Sequence, residues 1–337
     1  MSSVLFLAAF DSQLKWCARL RDEFGRRGFD WEVVVPDIRS ALSVDQITAA
    51  GFTDVRSLPW QHMLQAATQA DVVISALSGP QNETLLVDVG DRLRADGCAP
   101  VLVTGWVGVI IENATGGYLN RCASDVIAVN SRSDLEQFRT VAGCLGLPAD
   151  NLLLTGLPLL DSARRPPRDG PIRRVLFADQ PTVPQRAEDR HFLYQRLLEY
   201  AARHPDRKVV LKPRHRLDED TFHRMRHHPA SLLAGRTAPE NFMIDYTSVT
   251  EQLPYTDLVL TVSSTACLEA IDHGCRVGLI LDLGVHEKLG NHVFVGSGLL
   301  RTFAQIEADE LGCPEDDWLD DYFFPRDRSA AQLIADR

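Results

Sequence analysis

The residues with the most recognisable chemistry lie in the segment LTVSSTACLEAIDHG, at positions 260–274. An apolar run predicts a buried strand that leads into Ser263, Ser264 and Thr265, and the apolar spacing after them predicts a helix. The hydroxyls therefore lie at a helix N-terminus, where N–H groups and the positive end of the helix dipole favour a phosphate. Glu269, one turn further on, could reach a ribose hydroxyl. In the plainer interpretation a serine only caps the helix and Glu269 is solvated.

A second segment, KVVLKPRHR at 208–216, predicts a buried strand followed at once by a basic cluster. Lys212, Arg214 and Arg216 could hold phosphate or carboxylate oxygens. His215 could donate to a phosphate that departs with negative charge. The alternative is an ordinary basic run on the surface. Asp179 and Gln180, which follow the first predicted strand of the second half of the chain, are expected to make polar contacts to the same ligand.

In the first half, the predicted strand Val4–Phe10 ends at Asp11, immediately before a helix. A carboxylate at the carboxyl end of such a strand could act as general base on an acceptor hydroxyl, or it could cap the helix. The glycine-rich segment 104–117 offers Trp106 and Glu112 to hold or deprotonate an acceptor. Its glycines could equally serve only to make a tight loop.

Three histidines lie close together in FHRMRHHP, at 222–229. This spacing suggests a metal site at first, but the segment is polar, contains two arginines and has no nearby carboxylate. We therefore expect a solvated helix face and no metal. The chain also lacks the GxxxxGKS and GxGxxG loops, which argues against a P-loop or a Rossmann dinucleotide site.

The elements that must position these residues are short β-rich runs that alternate with helical stretches. This alternation predicts parallel sheets. Helical periodicity is clearest at Gln13–Arg26 and Arg186–Arg203. The predicted strands are Val4–Phe10, Glu32–Val35, Val72–Ala76, Val101–Thr104, Val126–Val129, Arg174–Phe177, Lys208–Leu211, Leu258–Val262 and Val277–Leu281.

The stretch DSARRPPRDGPIRR, at 161–174, predicts a linker because it holds two adjacent prolines, a glycine and five arginines. It divides the 337 residues into halves of about 160, each beginning with an apolar strand. We expect an N-terminal domain at 1–163, a C-terminal domain at 172–312 and a tail at 313–337 that packs back across the domain interface. The fold class is then α/β, with two facing Rossmann-like doubly wound domains of parallel strands.

Composition narrows the function further. With 45% hydrophobic and 24% charged residues, the sequence is that of an ordinary globular protein without a transmembrane segment or signal peptide. Its 46 acidic and 35 basic residues give a formal charge of −11, the wrong sign for nucleic acid, so an anionic ligand must be bound locally. Seven cysteines without a CxxC pair favour the cytoplasm, with the thiols as small buried side chains.

Several segments together resemble an actinobacterial family of glycosyltransferases whose members are mostly uncharacterised. They are AAFDSQLKW, SDVIAVNSRSDLEQF, VLFADQPTVPQR, TVSSTACLEAIDHG and DLGVHEKLGNHVFVGSGLL, and the similarity covers nearly the whole chain. More remotely, the KPxH element at Lys212–His215 and the Ser263–Ser264 pair resemble the HP and SS/T motifs of bacterial sialyltransferases, polysialyltransferases and glycerophosphotransferases. Those families share the two-domain GT-B architecture.

The resemblance implies an inverting glycosyltransferase that needs neither a metal nor another cofactor. The C-terminal domain would then bind a nucleotide-sugar donor, whose phosphate would contact His215, Ser263 and Ser264. Thr265 could contact the same phosphate. The favoured donor is a CMP-activated nonulosonic acid, whose carboxylate Arg216 or Arg214 could pair. The N-terminal domain would present a hydroxyl acceptor.

Several alternatives remain open. The donor could carry UDP, dTDP or CDP, or the enzyme could be a nucleotide-sugar 2-epimerase of the UDP-N-acetylglucosamine type, which works without an acceptor. A third possibility is a binding module without catalysis. The acceptor could be a polysaccharide, a lipid-linked glycan or a natural product, and the sequence does not define the oligomeric state.

Overall fold

The computed structural model describes residues 2–37, 42–96, 99–111, 113–160, 164–219 and 224–337. The chain divides into two compact units: unit 1 is Met1–Ser162 together with Asp321–Arg337, and unit 2 is Ala163–Asp320. Within the described ranges, no helix is long and apolar enough to cross a membrane.

Unit 1 is built on a seven-stranded sheet in which every pair of neighbours is parallel, in the order β3-β2-β1-β4-β5-β6-β7. Its first six strands follow the doubly wound Rossmann order. The strands are β1 (Ser3–Leu7), β2 (Asp30–Pro36), β3 (Arg56–Leu58), β4 (Val72–Ser75), β5 (Val101–Gly105), β6 (Val126–Val129) and β7 (Leu152–Leu154). The helices between them are α1 (Asp11–Arg26), α2 (Val44–Ala49), α3 (Trp60–Gln69), α4 (Gly79–Asp96), α5 (Ala114–Leu119) and α6 (Arg132–Leu145).

Strand β1 shows why this sheet is buried on both faces. Alternate side chains of a strand point to opposite sides. Val4 and Phe6 accordingly pack in one apolar cluster with residues of α1, whereas Leu5 and Leu7 pack in a second cluster. Such a strand reads as a continuous apolar run, which is why the sequence predicted it.

Unit 2 repeats the arrangement with a six-stranded parallel sheet in the order β10-β9-β8-β11-β12-β13. Its strands are β8 (Arg174–Ala178), β9 (Lys208–Lys212), β10 (Phe242–Ile244), β11 (Leu258–Thr261), β12 (Arg276–Ile280) and β13 (Leu300–Arg301). Its α-helices are α7 (Ala187–Arg203), α8 (Pro229–Leu232), α9 (Val249–Gln252), α10 (Ala266–Asp272) and α11 (Phe303–Glu307), and three short 3₁₀ segments lie at Leu253–Tyr255, Glu287–Leu289 and Asn291–Phe294.

The end of the chain returns to unit 1. Within helix α12 (Asp316–Tyr322) the chain passes from unit 2 back to unit 1, and α13 (Ala330–Asp336) packs against α1. The Arg27 guanidinium binds the Asp336 carboxylate at 2.5 Å, and Arg326 donates to the Thr155 and Leu160 carbonyls. These contacts fasten the last residues onto the first unit.

All nine strands predicted from the sequence are present, with ends that differ by at most three residues. The predicted helix at 222–229 is wrong in its described part, because residues 224–228 form a turn and irregular backbone. The cysteine prediction is wrong in part. Cys17, Cys267 and Cys275 are buried, but Cys144 and Cys313 are exposed, and Cys98 lies outside the described residues.

Candidate functional site

The polar residues predicted in the second half of the chain lie at one edge of the unit 2 sheet. Strands β9, β8 and β11 are consecutive neighbours in this sheet, and all three run in the same direction. Lys212 ends β9, Asp179 and Gln180 follow β8, and Ser263 follows β11. The chain order reverses between β8 and β11, which makes this the switch point where open α/β sheets bind ligands.

Gln180 ties the two loops of this switch point together. Its Oε1 accepts from the Ser263 backbone N–H at 2.9 Å, and its Nε2 donates to Ser263 Oγ at 3.2 Å. The Ser263 hydroxyl donates onward to the Leu289 carbonyl at 2.5 Å. Ser263 is therefore buried and fully engaged, and it holds the loop in place.

A buried ion pair sets the conformation of the loop that carries Gln180. The Arg190 guanidinium lies 3.2 Å from the Asp179 carboxylate, and both side chains are about 1% exposed. Tyr194 donates to Asp179 at 2.6 Å, while Arg190 also donates to the Gln180 and Pro181 carbonyls at 2.6 and 2.8 Å. Burial raises the pKa of the Asp179 carboxyl, against the opposing effect of Arg190. Asp179, predicted to contact the donor, contacts the protein interior.

The hydroxyl-bearing residues Ser264 and Thr265 are half-buried, whereas Ser263 is buried. Ser264 Oγ accepts from the Ala266 N–H at 3.2 Å and so turns the chain into α10. Thr265 precedes that helix without a side-chain capping bond. Glu269 lies in its first turn, half-buried, and accepts a hydrogen bond from Thr250 Oγ1 at 3.3 Å. Ser264, Thr265 and Glu269 therefore remain open to the surface at the same edge as Gln180.

The basic cluster after β9 has two kinds of residue. Lys212 Nζ donates to the Pro213 carbonyl at 2.8 Å, and Lys212 and Arg214 are half-buried. Arg216 is exposed, with its guanidinium 4.9 Å from the ring centre of Tyr246, close enough for a cation–π interaction. All three cations lie within five residues of the carboxyl end of β9. Their role in binding phosphate or carboxylate stays a prediction.

His215 is buried, and the backbone occupies both of its ring nitrogens. Met225 N–H donates to Nε2 at 2.9 Å, so the proton is on Nδ1, which donates to the Arg216 carbonyl at 2.6 Å. His228, also buried, donates from Nε2 to the His215 carbonyl at 3.0 Å. Burial lowers the pKa of His228, whose ring is therefore not the solvated group expected from the sequence. In this arrangement the two histidines fasten the loop that carries Lys212, Arg214 and Arg216, called the basic loop below.

In unit 1, the sheet edge near β1 carries Asp11 as the first residue of α1. Phe10 is the N-cap of this 16-residue helix, and Asp11 is half-buried within its first turn. A carboxylate in the first turn is favoured by the helix dipole. Gln13 Oε1 accepts from the Ala9 N–H at 2.6 Å and fixes the turn that leads into the helix.

Trp106 follows β5 and is held on a buried aromatic stack. Its ring lies 5.0 Å from Phe138, and the Arg121 guanidinium lies 4.4 Å from the ring centre. Asn130, buried after β6, donates to the carbonyls of Trp106 and Gly108 at 2.9 Å. The second residue predicted for the acceptor, Glu112, lies outside the described residues.

Sequence reasoning missed three groups near these edges: Arg190 with Tyr194, Arg121, and Asp134 in the first turn of α6. Burial raises the pKa of Asp134 to about 6, and the nearby Asp321 carboxylate adds to this effect. Arg190 could have been found, because it lies three residues before Leu193 on the apolar face of α7. Across the described ranges, no three His, Cys, Asp or Glu side chains gather as a metal ion would require.

Solved structures with this fold include nucleotide-sugar enzymes. The chain matches the "putative UDP-N-acetylglucosamine 2-epimerase from Listeria monocytogenes" with a TM-score of 0.66 and 14% identity, covering 99% of this chain and 94% of that one. It matches the Methanocaldococcus jannaschii UDP-GlcNAc 2-epimerase in complex with UDP-GlcNAc and UDP with a TM-score of 0.65 and 10% identity, covering 100% and 99%. Arabidopsis thaliana UGT89C1 complexed with UDP gives 0.62 and 11%, covering 100% and 98%.

At these identities the similarity establishes the fold, and it confirms the predicted GT-B class. A search of curated protein sequences returns no match. A family model described as "Putative glycosyltransferase (DUF6716)" matches residues 4–336. The prediction of a glycosyltransferase enzyme is thereby confirmed at the level of the family. The chain belongs to this glycosyltransferase family.

Proposed function

We propose that this enzyme transfers a sugar from a nucleotide sugar bound by unit 2 to a hydroxyl acceptor bound by unit 1. The observation that carries the proposal is the Gln180 bridge, which joins the loops after β8 and β11 at the switch point of the unit 2 sheet. A ligand site formed before binding avoids the cost of ordering loops when the ligand arrives.

The groups around this bridge suit an anionic ligand. Ser264 and Thr265 offer hydroxyl donors, and Lys212 and Arg214 offer cations from the neighbouring strand. Glu269, one turn into α10, is placed to accept from a ribose hydroxyl. These residues share one sheet edge, which supports a nucleotide with its phosphate toward the hydroxyls and the basic loop.

The proposed reaction is an inverting displacement. Asp11 takes the proton of the acceptor hydroxyl while that oxygen attacks the anomeric carbon. The bond from this carbon to the phosphate oxygen breaks, and the nucleotide leaves with the electron pair. Cationic and hydroxyl groups of unit 2 stabilise its charge. The resemblance to the sialyltransferases supports a displacement without metal. His215, predicted from the sequence to donate to the phosphate, has both ring nitrogens bonded to the backbone and acts here as the residue that positions the basic loop.

Two donor classes follow from different observations. The Ser263–Ser264 pair and the KPxH element support a CMP-activated nonulosonic acid, with Arg216 on its carboxylate. The solved relatives with the same fold bind UDP and UDP-GlcNAc, which supports a UDP-linked sugar. Sugars linked to CDP or dTDP are further candidates for the donor. The acceptor is a glycan, a lipid-linked glycan or a natural product with a free hydroxyl.

Thermal unfolding with CMP, CDP, UDP, GDP and dTDP tests the proposal and selects the donor class. A nucleotide present at 100 times its dissociation constant should stabilise the wild type by about 2.7 kcal/mol. We expect Gln180→Ala to lose most of this response. Gln195→Ala is the matched control, because Gln195 lies exposed on α7 and bonds only to surface partners. If no nucleotide stabilises the wild type, the proposed donor site is wrong.

A nucleotide-sugar 2-epimerase is the second candidate, favoured by the fold shared with the Listeria and Methanocaldococcus enzymes. An epimerase would convert UDP-N-acetylglucosamine with no acceptor present. Incubation with this sugar alone, followed by separation of the two C2 epimers, distinguishes the reactions. Formation of the second epimer would replace the transferase proposal.

A further inference from the structure

Unit 1 contains a buried arginine whose charge the described protein does not neutralise. Arg121 is 4% exposed. Its Nε donates to the Gly105 carbonyl at 3.2 Å, Nη1 to Gly117 at 2.9 Å and Nη2 to Leu77 at 3.3 Å. A guanidinium has five N–H donors, so two of them remain after these bonds. Two donors in a planar fork are what a carboxylate or phosphate takes in a bidentate contact.

The other buried arginines show the contrast. Arg190 pairs with Asp179, and Arg207 pairs with Asp309 at 2.6 Å. The pKa of Arg207 is raised, chiefly by its hydrogen bond to Asp309. No carboxylate in the described part of the chain pairs with Arg121, and burial lowers its pKa to about 10. Arg121 therefore stays charged at neutral pH, buried and without an anion, which is an unfavourable state for a protein taken alone.

The surroundings of Arg121 add to this positive charge. A Cβ atom added at Gly79, the first residue of the 18-residue helix α4, would lie 3.6 Å from Arg121 Nη1 and 2.5 Å from Asn120 Nδ2. The absence of a side chain at Gly79 thus lets a guanidinium and an amide NH₂ approach the start of the helix. A cation beside the positive end of a helix dipole is unfavourable, whereas an anion there is stabilised by both.

The position of this group in the sheet is that of a ligand site. Leu77 follows β4 and Gly105 ends β5, so the guanidinium lies at the carboxyl ends of these strands. Ligands of doubly wound sheets bind at this edge, at the switch point, which in unit 1 lies between β1 and β4, so the guanidinium lies directly beside it. The guanidinium also contacts Trp106, the residue that the sequence predicted for the acceptor.

We propose that Arg121 binds an anionic group, a carboxylate or a phosphate, on the molecule that unit 1 holds. Identifying that molecule as the acceptor depends on the function proposed above. The acceptor would then be acidic, such as a sugar acid or a phosphorylated glycan. Its anionic group would contact the donors left on Nη1 and Nη2 of Arg121, close to the start of α4, and its hydroxyl would be presented from the same sheet edge to Asp11.

The test uses the full chain, and the titration is carried out on the wild-type protein. The Nε–H resonance of Arg121 can be followed by ¹H–¹⁵N NMR, assigned through its Overhauser contacts to the Trp106 ring and its absence in Arg121→Lys. We expect a saturable shift of this resonance on titration with inorganic phosphate or with acetate, at ionic strength held constant with sodium chloride. The probe that gives the larger shift identifies the chemistry of the group. The Arg207 resonance, whose guanidinium is already paired, is the internal control and should not shift.

Each outcome bears on one proposal. If neither probe shifts the Arg121 resonance, the guanidinium only clamps three carbonyls and the anion site is wrong, even if nucleotides still stabilise the protein. If a probe shifts Arg121 while no nucleotide stabilises the protein, the anion site stands and the proposed donor site falls. If Arg207 shifts as much as Arg121, the effect is general to buried arginines and overturns the anion site.

Discussion

The two units have the same strand order at their centres, but they hold the loops of their switch points differently. In unit 1 each loop is fixed by the helix that follows it. Gln13 of α1 accepts from Ala9, and Asn82 of α4 donates to Leu77 at 2.8 Å while its Oδ1 accepts from Ser75. In unit 2 the Gln180 side chain joins the two loops across 83 residues of sequence.

The two units also differ in how the buried charges near these loops are paired. In unit 2 the Asp179 and Arg190 side chains neutralise each other beneath the loop. In unit 1 Arg121 has no carboxylate partner in the described residues, and burial, with a smaller effect of the Asp321 carboxylate, raises the pKa of the Asp134 carboxyl. The neutralised pair beneath the unit 2 loop suits a donor site that keeps one shape, whereas Arg121 in unit 1 suits a site completed by its ligand.

Asp11→Asn gives the largest expected effect, because it removes the proposed base of unit 1 and leaves unit 2 intact. Turnover should fall by about 10²–10⁴-fold. The dissociation constant of the nucleotide, measured by calorimetry, should not change. Asp22→Asn, on the exposed side of the same helix, is the control. If the turnover of Asp11→Asn stays within a few-fold of that of the wild type, Asp11 only stabilises the start of α1.

Arg190→Met tests the neutralised interior of unit 2. It leaves the Asp179 carboxylate buried without a cation, which costs about 3–5 kcal/mol. Urea unfolding measures the loss. The double variant Asp179→Leu, Arg190→Met removes both charges and should recover most of this stability. If the double variant is as unstable as Arg190→Met, the hydrogen bonds of Arg190 to the loop matter more than its charge.

Asp134→Asn tests the opposite case in unit 1. The folded pKa of Asp134 is raised to about 6, so its contribution to stability is present below the unfolded pKa near 4 and is lost as the pH rises through 6. Above pH 7 the variant, which has no charge to bury, should be more stable than wild type by up to about 3 kcal/mol. Near pH 4 the two should unfold at the same temperature. An equal difference at both pH values would show that ionisation of Asp134 is not its source.

The central strands of both sheets could be predicted from the sequence, and the edges could not. The four strands without a prediction are β3, β7, β10 and β13, which form the two edges of each sheet. They are two or three residues long, and the shortest is only Leu300–Arg301. A run this short has no periodicity of its own, so its strand conformation depends on pairing with a neighbour that the sequence does not identify.

The candidate site divides in the same way. The positions of Gln180 and Ser263 could be predicted because polar residues follow apolar strands at the switch point, where parallel strands bring them together. The sequence did not show that the Ser263 hydroxyl bonds to Gln180 and Leu289. The role of Arg121 could not be predicted, because it depends on the Gly105 and Leu77 carbonyls, which lie 16 and 44 residues earlier in the chain. His215 was recognised as important, but only the structure shows that Met225 and Arg216 occupy its ring.

The smallest expected effect comes from His228, which fastens the basic loop of unit 2. Burial lowers its folded pKa below the unfolded value near 6.5, so its contribution to stability is present above pH 6.5 and is lost as the pH falls through the folded pKa. Protonation would also remove the acceptor of the Ala230 N–H, a hydrogen bond of about 1 kcal/mol. Unit 2 should therefore lose stability when the pH falls from 7 to 5. Over the same range unit 1 should gain stability, because Asp134 becomes protonated.

Unfolding of His228→Asn, followed by hydrogen exchange at pH 7 and pH 5, should show a smaller loss of stability in unit 2 and an unchanged gain in unit 1. A loss in unit 2 as large as that of wild type would assign the pH dependence to another group and remove His228 from the comparison.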